Sequence, residues 1–133
     1  HNWLGYAFES VCYKHIPQIR KKLSISPIAM ADSWRYVPKK SSEERGAQID
    51  LLFDRPDDSI TLCEIKCTEE PFVLSKDYVA VLQRKMDVFK TQTQTKKQLF
   101  MALISANGLK NNLYAQDFIS GIVTLEDFFL SQD

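Results

Sequence analysis

The chain has 133 residues, of which 44% are hydrophobic and 26% are charged, and its formal net charge at pH 7 is zero. This length suffices for one domain with its own core, and no apolar run is long enough to span a membrane. The zero net charge excludes the basic excess that autonomous nucleic-acid-binding domains usually carry.

The chain begins with a predicted helix, because apolar residues recur at helical spacing between Trp3 and His15. Pro17 interrupts this pattern and predicts a short second helix from Pro17 to Leu23, since proline is tolerated in a first helical turn. His15 lies on the apolar stripe, which favours a packed, hydrogen-bonded histidine over a metal ligand. The residues predicted to form the stripe are Leu4, Phe8, Val11, Cys12 and His15.

A first strand is predicted between Pro27 and Val37, where apolar residues lead into polar sequence. The segment from Lys39 to Arg45 (KKSSEER) is polar and charged throughout, which indicates a loop. Two interpretations of this loop remain open: a lid beside a functional site, or an ordinary surface loop.

Two adjacent strands are predicted next, Ile49 to Phe53 and Ile60 to Ile65. Both runs are short and rich in Ile and Leu, and the turn sequence DRPDD separates them. Asp50, Glu64 and Lys66 interrupt or follow these apolar runs. A charge in a buried strand is costly unless it is paired or binds a metal, so these residues are candidates for a functional site.

Strand geometry predicts that these charges converge. Glu64 and Lys66 are two residues apart and share one face of their strand, and a hairpin brings Asp50 to the same end of that face. Two carboxylates suit a hard cation such as Mg²⁺, and a lysine beside a metal-bound water can orient it, deprotonate it or hold a phosphate. The alternative is an ion pair between Lys66 and Glu64, which leaves Asp50 without a role.

After a connecting segment, Ser75 is predicted to cap a helix whose apolar stripe extends from Tyr78 to Phe89. Lys85 lies in the middle of this stripe, an unusual position for a lysine. Its side chain either packs along its stem and extends to solvent, or points over the sheet towards the site. A polar return loop is predicted from Thr91 to Lys97.

The last third of the chain predicts two more strands. Leu99 to Ser105 is unbroken and apolar, as in a buried central strand, and Phe118 to Val123 forms the last one. Thr124 begins a capping-box sequence for a short final helix. Taken in order, the elements predict an α/β fold with a mixed sheet. The residues expected to pack this last helix onto the core are Phe128, Phe129 and Leu130.

A family resemblance rests on these motifs. Asp50, Glu64, Ile65 and Lys66 form D-x(13)-E-I-K, which resembles the signature of the PD-(D/E)XK nuclease superfamily. The phrases WLGYAFESVCYKHIPQI, GAQIDLLFDR, CEIK, YVAVLQRKMDVF and LEDFF resemble the nuclease-like domain at the C-terminus of certain bacterial AAA-type ATPases, over essentially the whole chain. One departure is Ile49, which stands where that superfamily often has a dispensable proline.

The resemblance implies a restriction-endonuclease-like fold with an αβββαβ core and a central mixed β-sheet flanked by helices. It implies a single nuclease domain over residues 1–133, the C-terminal part of a longer chain whose ATPase domain is a partner. The expected activity is metal-dependent hydrolysis of nucleic acid; the resemblance favours DNA as the substrate, whereas the residues themselves do not separate DNA from RNA. The chain begins with His1 rather than Met, which agrees with a piece of a longer protein.

The resemblance also assigns roles. Lys66 positions or activates the attacking water, and Lys85 is a recurring part of the site. Glu9, in AFES, matches a first-helix glutamate that joins the metal site, although an ordinary surface glutamate remains the alternative. The groups expected to bind Mg²⁺ or Mn²⁺ are the side chains of Asp50, Glu64 and Glu9 and the backbone carbonyl of Ile65.

Two alternatives to a nuclease remain. The first is a catalytically silent module of the same fold that binds nucleic acid or protein beside the ATPase. The second is a structural domain in which the charged trio is an ion-pair network. The cysteines, Cys12, Cys63 and Cys67, fit no disulfide framework and no zinc site. Cys63 and Cys67 are expected in the core, and the free thiols predict a cytoplasmic protein without a signal peptide.

Overall fold

The computed structural model describes residues 3–130. The helices are α1 (Trp3–Tyr13), α2 (Ile16–Lys22), α3 (Lys76–Thr93) and α4 (Leu113–Phe118), followed by a 3₁₀ helix (Leu125–Phe129). The strands are β1 (Met30–Tyr36), β2 (Ala47–Asp54), β3 (Ser59–Lys66), β4 (Gln98–Ser105) and β5 (Ile119–Val123). This is the predicted succession of helices and strands, with α4 as an additional short helix before β5.

Within the described residues, the strands form one mixed sheet in the order β1-β2-β3-β4-β5. The first three strands pair antiparallel as a meander, and β4 and β5 add to it in parallel. Helix α3 makes the crossover from β3 to β4 that a parallel pair requires. The predicted α/β class, with a mixed sheet flanked by helices, is confirmed.

Helices cover both faces of the sheet. On one face the core contains residues of α1 and α2, and on the other it contains residues of α3. Alternate residues of the strands supply the two faces, because successive side chains of a strand point in opposite directions. The α1–α2 side includes Phe8, Cys12, Ile19, Phe53, Cys63 and Ile104. The α3 side includes Leu62, Leu74, Leu82, Phe89 and Met101.

Strand β2 carries a bulge near its centre. Leu52 pairs with Asp32 of β1, but the next recorded pair joins Ile49 to Trp34, so β2 advances three residues while β1 advances two. Asp50 therefore lies in the irregular stretch rather than in a regular ladder. A bulge bends its strand and redirects a side chain, which is why bulges recur near functional sites.

Several local predictions are confirmed. The side chain of Ser75 accepts a hydrogen bond from the backbone of Tyr78 and caps α3. Thr124 and Asp127 form the reciprocal capping box. His15 is packed, because its ring stacks on Phe128 with centroids 4.8 Å apart, and its Nδ1 lies 2.7 Å from a backbone carbonyl oxygen.

Other local predictions are wrong. Leu4 does not join the apolar stripe, since it is 57% exposed and the buried residues of α1 begin at Phe8. Phe129 and Leu130 do not pack onto the core and are 74% and 55% exposed. A 3₁₀ turn brings only every third residue to one side, and here that residue is Phe128.

The predicted return loop begins too early, because α3 continues to Thr93. The hydroxyl of Thr93 donates to the carbonyl of Phe89, and Gln94 ends the helix in a left-handed conformation with φ of 55°. Polar composition alone suggested a loop where an exposed last helical turn is present. Among residues 3–130, no helix has both the length and the apolar character that a membrane span requires.

The cysteines are free thiols. Cys12 and Cys63 are buried in the core, and burial is the largest cause that raises the pKa of the Cys12 thiol to about 12. Cys67 is only half-buried: it packs against the core and also lines the candidate site described below. The prediction that both Cys63 and Cys67 belong to the core is therefore correct for Cys63 and incomplete for Cys67.

Candidate functional site

An open cavity of about 340 Å³ lies where β2 and β3 separate. The recorded pairing of these strands ends at Leu51 and Cys63, and the next residues in the register are Asp50 and Glu64. Beyond that point the bulged strand β2 diverges from β3, which leaves both carboxylates facing an open space. The lining residues are Gly5, Glu9, Gln48, Asp50, Glu64, Ile65, Lys66, Cys67, Tyr78 and Lys85.

The cavity brings together every residue that the sequence placed in the site. Asp50 comes from β2, Glu64, Ile65 and Lys66 from β3, and the other two from helices on opposite sides of the sheet. Residues 39–45, for which a lid and an ordinary surface loop were both considered, contribute no residue to this lining, which favours the ordinary surface loop. That loop is instead held to β1 by a hydrogen bond of 2.5 Å from the Tyr36 hydroxyl to Glu44.

Glu64 is the most enclosed charge of the site, with 9% of its surface exposed. Lys85 Nζ lies 3.0 Å from Glu64 Oε1, and Lys66 Nζ lies 3.8 Å from Oε2. The Tyr78 hydroxyl also donates a hydrogen bond to Oε2. The open question about Lys85 is thereby answered, because its ammonium group points into the site rather than out to solvent.

The other two carboxylates of the site, Asp50 and Glu9, form an acidic pair. Burial, a side-chain hydrogen bond with Asp50 and the negative charges of Asp50 and Glu64 together raise the pKa of Glu9 from 4.5 to about 7. Glu9 is half-buried and belongs to the site, so it is not an ordinary surface glutamate. Gln48 Nε2 donates to Asp50 Oδ1 at 2.6 Å and Tyr13 donates to the Asp50 backbone carbonyl at 3.0 Å, and both bonds help to fix Asp50.

The donor set suits a hard divalent cation. Glu9, Asp50, Glu64 and Ile65 line one cavity, and the carboxylate and carbonyl oxygens that such residues carry are the ligands that Mg²⁺ prefers. Within residues 3–130, no three acidic, histidine or cysteine side chains are already arranged to hold a metal ion. A cation would therefore compete with the lysines at Glu64. The charge of the donor set fits a metal, although Glu64 is paired with two lysines in the present arrangement.

Two further residues of the site were missed by the sequence analysis. Tyr78 was assigned only to an apolar stripe, yet it binds Glu64, and Lys66 Nζ lies 4.6 Å from the centroid of its ring. Its position two helical turns before Lys85, on the same face, was the available signal. Gln48 lies two residues before Asp50, and strand alternation could have placed both side chains together.

Comparison of the chain with models of protein families, with curated proteins and with solved structures finds no match. Membership of the nuclease superfamily therefore remains a prediction from the sequence motifs. The candidate site is defined by its own residues and by their geometry.

Proposed function

We propose that this domain is a metal-dependent nuclease of the PD-(D/E)XK type, which hydrolyses phosphodiester bonds in nucleic acid, with DNA as the expected substrate. The observation that supports this proposal most directly is the convergence of Glu9, Asp50, Glu64 and Lys66 in one open cavity at the point where β2 and β3 separate. The antiparallel meander, the crossover helix α3 and the parallel strand β4 also agree with an αβββαβ restriction-endonuclease-like core. In this proposal the domain is the cytoplasmic C-terminal part of a protein with an AAA-type ATPase domain.

Asp50, Glu64 and the Ile65 carbonyl would hold Mg²⁺ or Mn²⁺, with Glu9 acting through a water molecule. A divalent ion at this position supplies Lewis-acid stabilisation of the negative charge on the phosphate and a more acidic water. The ion would also neutralise three clustered carboxylates, which otherwise require a shared proton and ion pairs.

The lysines would act on the water and on the phosphate. Lys66 Nζ lies 4.6 Å from the ring centroid of Tyr78 and 5.8 Å from that of Phe72, so aromatic rings restrict its position. From there, Lys66 would orient the attacking water and offset phosphate charge. The water gives up a proton and its oxygen bonds to phosphorus as the ester P–O bond breaks; the departing oxygen takes up a proton, so one proton moves in net from the water to the leaving group. Lys85 adds positive charge next to Glu64.

The test is a cleavage assay on supercoiled plasmid, linear duplex, single-stranded DNA and RNA, each with Mg²⁺, Mn²⁺ or EDTA. We expect cleavage with either metal and none in EDTA. Asp50→Asn should reduce the rate by about 10²–10³-fold, because it weakens the metal site while keeping the side-chain shape. Cleavage by Asp50→Asn at the wild-type rate, or cleavage in EDTA, would contradict the proposed site.

A second candidate function has its own support. Glu64 is already engaged by Lys85, Lys66 and Tyr78, and the chain has no net positive charge. A site whose central carboxylate is already occupied by protein groups would suit a catalytically silent module that binds nucleic acid or protein. Such a module would show no cleavage of any substrate and no metal-dependent thermal stabilisation, also within the full-length protein in the presence of ATP.

Tyr78 is expected to position Glu64 and Lys66. Removing only its hydroxyl, in Tyr78→Phe, keeps the ring beneath Lys66 but deletes the hydrogen bond to Glu64. We expect a loss of about 1 kcal/mol in the free energy of unfolding and a roughly tenfold lower single-turnover cleavage rate. Tyr114→Phe is the matched control, because Tyr114 is 44% exposed and does not line the site. An unchanged cleavage rate in Tyr78→Phe would refute this positioning role.

A further inference from the structure

A second groove opens beside the candidate site, between β1, β2 and α3. Its volume is about 310 Å³, and it shares the lining residues Gln48 and Lys85 with the candidate site, so the two spaces are direct neighbours. We call it the basic groove because its described lining includes three basic side chains and no acidic one. The lining residues are Arg35, Tyr36, Gly46, Ala47, Gln48, Arg84 and Lys85.

The local backbone holds the basic groove in shape. Arg84 Nη1 donates to the carbonyl oxygen of Gly46 at 3.1 Å, which fixes the guanidinium group from α3 against the start of β2. Gly46 itself approaches β1 closely, because an added Cβ atom would lie 2.8 Å from the backbone oxygen of Tyr36. Arg35 is opposite Gln48 in the β1–β2 register, next to the boundary with the candidate site.

The arginines of the basic groove are not neutralised by the described protein. Within residues 3–130, neither Arg35 nor Arg84 forms an ion pair with an acidic side chain. Arg35 is exposed and Arg84 is half-buried. In a chain without net charge, two uncompensated guanidinium groups beside an acidic site form a local positive region that suits anions.

The anion that fits is an extended one. Arginine presents several N–H donors in a planar fork that matches phosphate oxygens, and Arg35 and Arg84 occupy one continuous groove. A single phosphate would need only one of these positions. A strand with one phosphate in the candidate site would place its neighbouring phosphates along the groove.

We propose that the basic groove binds the sugar–phosphate backbone of a nucleic acid strand on one side of the phosphate held in the candidate site. This inference rests on the proposed nuclease function and adds the path of the strand. Arg35 contacts a backbone phosphate directly, Arg84 lines the wall, and Lys85 lies at the junction of the two spaces.

The test measures binding apart from cleavage. Fluorescence anisotropy in EDTA measures the affinity for a labelled single-stranded oligonucleotide and for its duplex. The proteins compared are the wild type, Arg35→Glu and Arg35→Lys. We expect Arg35→Glu to weaken binding about tenfold at low salt and to reduce the slope of log affinity against log salt by about 1. Arg35→Lys should keep most of the affinity, since it keeps the charge.

Lys96→Glu is the matched control. Lys96 is exposed and precedes β4, and the start of β4 pairs with the start of β3, at the opposite end from Lys66. The control makes the same charge change and should leave the affinity unchanged. Thermal melts of both variants confirm that the fold is retained.

The outcomes separate the groove from the nuclease. Metal-dependent cleavage, together with binding that is insensitive to Arg35→Glu, would refute the proposed role of the basic groove. The proposed nuclease function would be unaffected. Binding that depends on Arg35 without cleavage would support the groove and favour the silent module. If Lys96→Glu weakens binding as much as Arg35→Glu does, or if the wild type does not bind at low salt, the proposed role of the basic groove is refuted.

Discussion

Replacing Lys66 by methionine is expected to lower the cleavage rate by about 10²–10⁴-fold, the range typical of a lost proton-transfer or charge-stabilising group. Methionine keeps a similar length and apolar stem but removes the ammonium group. The fold should survive, because Lys66 is at the end of β3 and 30% of its side chain is exposed. Single-turnover cleavage with saturating Mg²⁺ is the measurement.

Lys97→Met is the matched control for this experiment. Lys97 forms an ion pair with Asp54 at 2.6 Å, at the opposite end of β3 from the site, so the variant loses a comparable charge and a comparable contact. We expect its cleavage rate to match the wild type. Metal binding should survive in Lys66→Met, since lysine is not a ligand. A Lys66→Met protein that cleaves at the wild-type rate would show that Lys66 takes no part in the cleavage reaction.

The convergence of the charges was predictable because strand geometry is regular over short distances. Glu64 and Lys66 are two residues apart on β3, and the hairpin fixes the β2–β3 register, which carries Asp50 to the level of Glu64. Lys85 was identifiable as unusual because a charge in an apolar stripe needs a partner. Its actual partner, Glu64, could not be named from spacing along one helix.

The opening of the cavity could not be predicted from the sequence. It depends on the β2 bulge around Asp50 and on the approach of α1, which brings Glu9 next to Asp50. Both features depend on packing between elements that are far apart in the sequence, which the periodicity of a single element does not predict. The basic groove was hidden for the same reason, because Arg35 and Arg84 are 49 positions apart in the sequence and meet only through β2.

The ends of the elements were less predictable than their centres. Leu4 and Phe129 are large and apolar, and both were expected to pack onto the core. Both lie near the end of a terminal helix and stay largely exposed, although the Phe129 ring lies edge-on to His15 with centroids 6.1 Å apart. Apolar spacing predicts which side chains share a face, whereas burial also requires that something packs against that face.

The acidic cluster is expected to destabilise the metal-free protein as the pH rises. The pKa of Glu9 is raised from 4.5 to about 7, so the folded state binds this proton more tightly than the unfolded state. The resulting stability is fully present below pH 4.5 and is lost as the pH rises through about 7. Because Glu9 is only half-buried, solvent screens part of this effect, and we expect a change of only about 1 kcal/mol.

Thermal melts in EDTA at pH 5 and pH 8 test this expectation. Wild type should lose stability between these pH values, whereas Glu9→Gln, which cannot ionise, should lose less. Asp50→Asn should be neutral or mildly stabilising at pH 8, because it removes one of the repelling charges. Glu126→Gln is the matched control, since Glu126 is exposed and does not line the site.

Magnesium should reverse the destabilisation. At a concentration 100 times its dissociation constant, a ligand that binds only the folded state adds about 2.7 kcal/mol, the largest stability change expected here. At pH 8 the melting temperature of the wild type should therefore rise with Mg²⁺ or Mn²⁺, and that of Asp50→Asn should rise much less. If instead Asp50→Asn is clearly destabilised in EDTA and responds to Mg²⁺ like the wild type, the charged cluster is an ion-pair network that supports the fold. That result would count against the metal site and the nuclease together, because both require the carboxylates to repel one another until a cation binds.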